Sequence, residues 1–280
     1  MNLQEAIQTQ VNAALSEDIG SGDLTAALIA PDRLGRATVI TRENMVLCGQ
    51  PWVDAVFQHI DLKVRVEWRL QEGMPAQAGQ ALFSVEGPAR ALLTGERTAL
   101  NFLQTLSATA TATRMYVDAV RGTKAAIVDT RKTLPGMRLA QKYAVRIGGG
   151  TNHRIGLYDG VLIKENHIMA AGGVQQALRH AKRQTPAGVP IEIEVETLDQ
   201  LRDALEGGAQ MILLDNFDLE RMAEAVKLNQ GRAKLEASGG VNLATVRAIA
   251  ETGVERISIG ALTKDIKAAD LSMRFRMDAA

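Results

Sequence analysis

Residues 129–167, DTRKTLPGMRLAQKYAVRIGGGTNHRIGLYDGVLIKENH, begin where one short apolar run (125–128) stops and finish just past another (161–163). Short apolar runs with polar ends read as strands, so the polar residues of this segment are carried on two rigid supports. Between Thr130 and His167 stand seven cations (Arg131, Lys132, Arg138, Lys142, Arg146, Arg154, Lys164) against two carboxylates (Asp159, Glu165). In the whole chain 32 basic and 32 acidic residues balance, so the excess is local. Guanidiniums beside imidazoles suit a small polyanion. Lys142 and Arg146 fall at helical spacing after Arg138 and read as solvated helix-face residues, whereas Arg131 and Lys132 sit at a strand end.

Outward from this segment the same rhythm repeats. Strand-like runs around Ile127 and at 161–164, 191–196, 211–215, 234–238 and 256–260 alternate with helical patterns, for example at 175–184, 198–207 and 219–228. Serial βα units imply a parallel sheet flanked by helices, and six strands predict an incomplete TIM-like (β/α) barrel over 109–280. Residues 1–108 read differently. Ile7, Val11, Ala14 and Leu15 form a helical stripe that ends in SEDIGSGDLT (16–25), a loop suited to capping and turning. Strands at 37–41, 64–69 and 81–85 follow without regular helices between them, predicting an N-terminal α+β sandwich domain. A helix over 94–106 places Arg97 near its N-terminal turn, where a cation opposes the helix dipole and calls for a partner elsewhere.

Composition narrows the function class. With 280 residues, 46% hydrophobic, the chain can bury a large core. Balanced charge, no basic run and 4% aromatics point away from nucleic acid and from a membrane surface. The start MNLQEAIQTQ lacks the features of a signal peptide, so a cytoplasmic protein is expected. The single Cys48 has no disulfide or metal partner in sequence and reads as a small buried hydrophobe.

In α/β barrels the chemistry sits at the C-terminal ends of the strands. Here those ends carry Asp129, Thr130, Arg131 and Lys132; Lys164 to His167; Glu194 and Glu196; Asp215 and Asn216; Ser238, Gly239 and Gly240; and Gly260 and Ala261. In IEIEVE (191–196), period-two alternation sends three isoleucine and valine side chains to one face and Glu192, Glu194 and Glu196 to the barrel interior. Buried carboxylates need cations. Glu194 with Asp215 points to a magnesium or ribose-hydroxyl site, the alternative being an internal salt-bridge network that also accounts for Glu192. Small residues at 238–241 and 260–263 let backbone N–H groups approach a phosphate. The glycines at 148–150 read as a turn that folds Asn152, His153 and Arg154 back over the rim.

Taken together, DTRKTLPGMR, GGGTNHRIGLYDGVLIKENH, GERTALNFLQ, LEASGGV and ISIGALTKDI closely resemble the quinolinate phosphoribosyltransferase family along nearly the whole chain. The resemblance implies transfer of phosphoribosyl from phosphoribosyl pyrophosphate to quinolinate with loss of CO2, giving nicotinate mononucleotide and pyrophosphate with Mg2+, by a homodimer on the route to NAD. It further implies that Arg131, His153, Arg154 and Lys164 bind the quinolinate carboxylates, with Arg97 reaching across from the partner subunit. Thr130 belongs to the same substrate shell, and Lys132 would meet pyrophosphate. Glu194 and Asp215 would serve ribose and magnesium; Ser238, Gly239 and Gly240 with Ile259, Gly260 and Ala261 would receive the 5′-phosphate. Three other readings stay open at this stage: a relative acting on nicotinate, a Schiff-base aldolase using Lys164, and a non-catalytic binding protein of the same fold.

Overall fold

The structure is a computed structural model that describes residues 2–277. In chain order the first elements are α1 (Leu3–Ile19), β1 (Leu34–Thr41), β2 (Met45–Val46), α2 (Gln50–Ile60), β3 (Arg65–Trp68), β4 (Pro75–Ala76), β5 (Ala81–Pro88) and α3 (Ala89–Ala119). Next come β6 (Ala126–Val128), α4 (Arg138–Ile147), β7 (Val161–Ile163), α5 (Glu165–Ala171), α6 (Val174–Gln184), β8 (Ile191–Val195) and α7 (Leu198–Glu206). The last are β9 (Met211–Asp215), α8 (Leu219–Asn229), β10 (Lys234–Ser238), α9 (Val246–Glu251), β11 (Arg256–Ser258), α10 (Ala261–Lys264) and β12 (Leu271–Met277). They form two compact units. One holds the chain up to Arg114, Leu134–Gly149 and the chain from Asp265; the other holds Met115–Thr133 and Gly150–Lys264.

The first unit is built on the antiparallel order β12-β1-β5-β3. Ala37, Val39 and Thr41 alternate inward along β1, and Val39 lies opposite Phe83 of β5 and Met273 of β12. Helix α1 starts on a capping box, Asn2 accepting the Glu5 N–H at 2.9 Å while the Glu5 carboxylate accepts the Asn2 N–H at 3.0 Å. Its stripe Ile7, Val11 and Leu15 is buried in a core with Trp52, Phe57, Leu82, Leu103 and Leu106. Trp52 is fully buried because Gln10 Oε1 accepts its indole N–H at 2.8 Å. The loop at 16–25 does cap and turn: Asp23 accepts the N–H groups of Thr25 and Ala26 and the Thr94 hydroxyl. Cys48 is a buried free thiol, its pKa pushed up by burial.

Two expectations change here. Helix α3 starts at Ala89, so Arg97 is exposed two turns inside it and the dipole argument for that residue lapses. Lys142 is buried on α4, only 2% exposed, because that helix packs Ala140, Gln141, Ala144 and Val145 as well; Arg146 alone of the pair is exposed.

The second unit is an incomplete (β/α) barrel. Its parallel strands run β7-β8-β9-β10-β11-β6, so the earliest strand comes round to lie beside the last. Ile257 faces Ile127 across β11 and β6, and Leu235 and Ile193 flank Ile212. Helices α5 to α9 pack each against the next along the chain. The far edge of β6 is bridged by Thr151, whose N–H donates to Ile127 O at 2.8 Å and whose carbonyl accepts the Asp129 N–H at 3.1 Å. Thr151, directly after the glycines, thus lies parallel beside β6.

The sandwich depends on Phe83, which is fully buried and tilted against Trp68 with ring centroids 4.6 Å apart. Phe83→Ala should cost about 3–5 kcal/mol of stability, seen as a lower urea midpoint with an unchanged m-value.

Candidate active site

The predicted site residues, Arg97 apart, lie in the second unit, most of them at the C-terminal ends of its parallel strands and His153 and Arg154 in the segment after Thr151. Arg97 lies on α3 in the first unit.

Asp129, fully buried just after β6, organises one wall. Its Oδ1 accepts the His153 N–H at 2.8 Å and its Oδ2 accepts the Asn152 side-chain amide at 2.6 Å. The segment carrying His153 and Arg154 is therefore pinned to the end of β6. Arg154 donates to Gly160 O at 3.1 Å, and burial together with the charge of Arg131 pulls its pKa down, Asp159 and Glu192 opposing. Two guanidiniums near enough to repel and partly withdrawn from water make a place for an anion of charge two.

A second wall comes from β7, β8 and β9. Lys164 Nζ pairs with Glu194 Oε2 at 3.0 Å. The Asp215 carboxyl is pushed above its ordinary value by burial and by Glu194, with Lys164 and Lys132 pulling the other way. Strand ends β6 to β9 thus bring two lysines and two carboxylates into one electrostatic cluster. Oxygen donors paired this way suit a hard divalent cation that takes its remaining ligands from substrate phosphates and water.

Small residues make the third wall possible. A Cβ at Gly260 would stand 3.0 Å from Lys132 Cδ, so a side chain in the turn after β11 would press on that lysine. The Thr263 hydroxyl holds Lys132 O at 2.8 Å, and Thr130 Oγ1 accepts the Lys132 N–H at 3.0 Å. At Gly239, φ is +103° and a Cβ would collide with Asn216 Oδ1. That contact matters because Asn216 donates to Asp215 Oδ2 at 2.9 Å while its own N–H reaches Ser238 O at 3.0 Å.

Beneath the rim, alternation along β8 points Glu192 and Glu194 inward and buries Ile193 and Val195 on the opposite face. Glu196 departs from the expected pattern: the strand stops at Val195 and Glu196 is exposed, its N–H held by Gln200. Glu192 accepts from His153 Nε2 at 2.8 Å. Glu236, on β10, lies 3.8 Å from the same nitrogen and is paired with Arg256 at 2.6 Å. Burial, then the charge of Glu192, pushes the Glu236 carboxyl up, against Arg256 and His153. Sequence reasoning placed Asn216 at the rim but did not reach Glu236 or Arg256. The available signal was an acid between two buried apolar residues in KLEAS (234–238), the same pattern that exposed the acids of β8.

Because its folded-state pKa lies above 3.8, the ionised Asp215 opposes folding at neutral pH, and this cost disappears once pH falls below 3.8. Asp215→Asn should therefore melt at a higher temperature than the parent at pH 7. The gain should shrink as pH is lowered toward 4, which thermal scans across that range would check.

Comparison with known proteins places the chain in a family. Residues 23–107 match the family description "Quinolinate phosphoribosyl transferase, N-terminal domain", and 109–274 match the corresponding C-terminal domain. A nicotinate-nucleotide pyrophosphorylase [carboxylating] of Mycobacterium leprae is 42% identical over 279 residues, covering 96% of this chain and 97% of its own. A chloroplastic protein of the same name from Oryza sativa is 40% identical over 294 residues, covering 98% of this chain and 79% of its own. The solved nicotinate-nucleotide pyrophosphorylase from Francisella tularensis superposes with a TM-score of 0.95 at 44% identity, covering 99% and 98% of the two chains. Both halves matched in order, together with full-length relatives well above 30% identity, make the chain a member of the quinolinate phosphoribosyltransferase family.

Proposed function

We propose that this chain transfers the phosphoribosyl group of phosphoribosyl pyrophosphate to quinolinate and releases CO2, forming nicotinate mononucleotide and pyrophosphate for NAD biosynthesis. The observation that carries the reading is the division of the rim into Arg131 with Arg154 and Lys132, Lys164, Glu194 with Asp215. The first pair matches two adjacent carboxylates. The second set matches a sugar joined to a polyphosphate, with Lys164 placed to serve both substrates.

In this reading Arg131, Arg154 and Lys164 hold the quinolinate carboxylates, with His153 beside them, so that the pyridine nitrogen faces the anomeric carbon. The nitrogen forms the new C–N bond as the C–O bond to pyrophosphate breaks. Lys132, in the substrate shell with Thr130, steadies the departing charge. Glu194 and Asp215 stabilise positive charge developing on the ribose ring. The quaternised ring then accepts the electron pair of the adjacent C–C bond, the carboxylate leaves as CO2, and the ring carbon takes a proton. Glu194 and Asp215 would hold Mg2+ directly or through water, and the ion when bound neutralises pyrophosphate oxygens. Ser238, Gly239, Gly240, Ile259, Gly260 and Ala261 offer a backbone cradle for the 5′-phosphate. We further propose a cytoplasmic homodimer in which Arg97 serves the partner's site.

Incubation with quinolinate, phosphoribosyl pyrophosphate and Mg2+ should yield mononucleotide and CO2 in equal amounts. Mononucleotide from nicotinate without CO2 would replace this reading with the nicotinate one, and binding of quinolinate without turnover would leave a non-catalytic protein. Arg131→Ala should raise the quinolinate KM about 10- to 100-fold, the loss of one charge-assisted contact. An unchanged kcat/KM would remove Arg131 from the substrate shell.

A further inference from the structure

The buried stack behind Arg154 is not used by the reaction as described, and its geometry is specific. Both ring nitrogens of His153 are engaged by protein. Nδ1 accepts the Arg154 N–H at 2.7 Å, and Nε2 lies 2.8 Å from Glu192 Oε2. An Nδ1 that accepts leaves the proton on Nε2, directed at Glu192. Glu192 is 3% exposed and lies on β8 between β7 and β9, so its position is fixed by the sheet. Behind it Glu236 is held by Arg256, its register partner across β10 and β11. The donors of His153, Glu192 and Glu236 lie within 4.8 Å of one another, a spacing that could also hold a metal ion. The Nε2 proton meets Glu192 Oε2 and Arg256 meets Glu236 Oε2.

We propose that Glu192 is a positioning residue for substrate recognition: through Nε2 it fixes the His153 ring, whose Nδ1 in turn fixes the Arg154 backbone and so the guanidinium beside Arg131. His153 then acts as a strut between Glu192 and Arg154. The proposal rests on the quinolinate reading for its ligand, but its internal geometry can be tested without any substrate.

The sign of the effect separates positioning from electrostatics. Glu192 is a negative charge near the two guanidiniums, so deleting it should tighten binding of a dicarboxylate if charge alone mattered. If it positions Arg154, Glu192→Leu should raise the quinolinate KM about five- to hundredfold, the range for leaving a buried donor without its acceptor. The KM for phosphoribosyl pyrophosphate should stay within about twofold. Glu192→Gln, which keeps an acceptor oxygen and removes the charge, should recover most of that loss. In the ligand-free parent, 15N spectra of the imidazole should show His153 as the Nε2–H tautomer, and Glu192→Leu should release it into tautomer exchange.

A parent that shows this tautomer but does not bind quinolinate would sink the functional reading alone. An Nδ1–H tautomer in the parent, a Glu192→Leu variant with unchanged or tighter quinolinate binding, or equal losses toward both substrates in Glu192→Gln would overturn the positioning role.

Discussion

Carboxylates can stand inside a parallel sheet only where cations or hydrogen-bond donors from neighbouring strands reach them, because an isolated buried charge is too costly to keep. Strand β8 turns two inward, and each is met from another part of the barrel: Glu194 by Lys164 at the end of β7, Glu192 by His153 from the segment beside β6. Strand β10 adds Glu236, met by Arg256 of β11. These pairings tie the interior together from strand to strand. They also leave charge at the rim, where Asp215 adds a second acid beside Glu194 and Arg154 stands beside Arg131.

The rim is shaped as much by missing side chains as by charged ones. Gly239 leaves room for Asn216, itself in a left-handed conformation with φ of +54°, and Asn216 holds Asp215. Gly260 leaves room for Lys132. A methyl group at either position would press on a side chain of the proposed chemistry rather than on the hydrophobic core. The raised Asp215 carboxyl carries the same lesson: the site holds charges that folding alone would not select.

Much of the architecture could be read from residue order. The period-two alternation of IEIEV, the six apolar runs and the helical stripes between them all mark elements whose faces are set by the backbone repeat. The observed bounds follow closely, with β9 and β10 as expected and α6, α7 and α8 within one residue at either end. Polar residues at strand ends were legible for the same reason, since each strand has one C-terminal end and barrel chemistry gathers there.

Other features depended on partners distant in sequence. Nothing local in RLAQKYAVRI says that α4 belongs with an antiparallel sheet, or that β12, almost at the end of the chain, pairs with β1. Lys142 looked solvated because its own helix gives no sign of what covers it. The bond from the His153 ring to Glu192 forms only when β8 lies within reach of the segment beside β6, so nothing local announces it. The sequence by itself determined which residues share a strand end, because that follows from a backbone repeat. Tertiary structure decided which of them bond to one another, because a contact between strands depends on sheet order and register, and neither is encoded within any single strand.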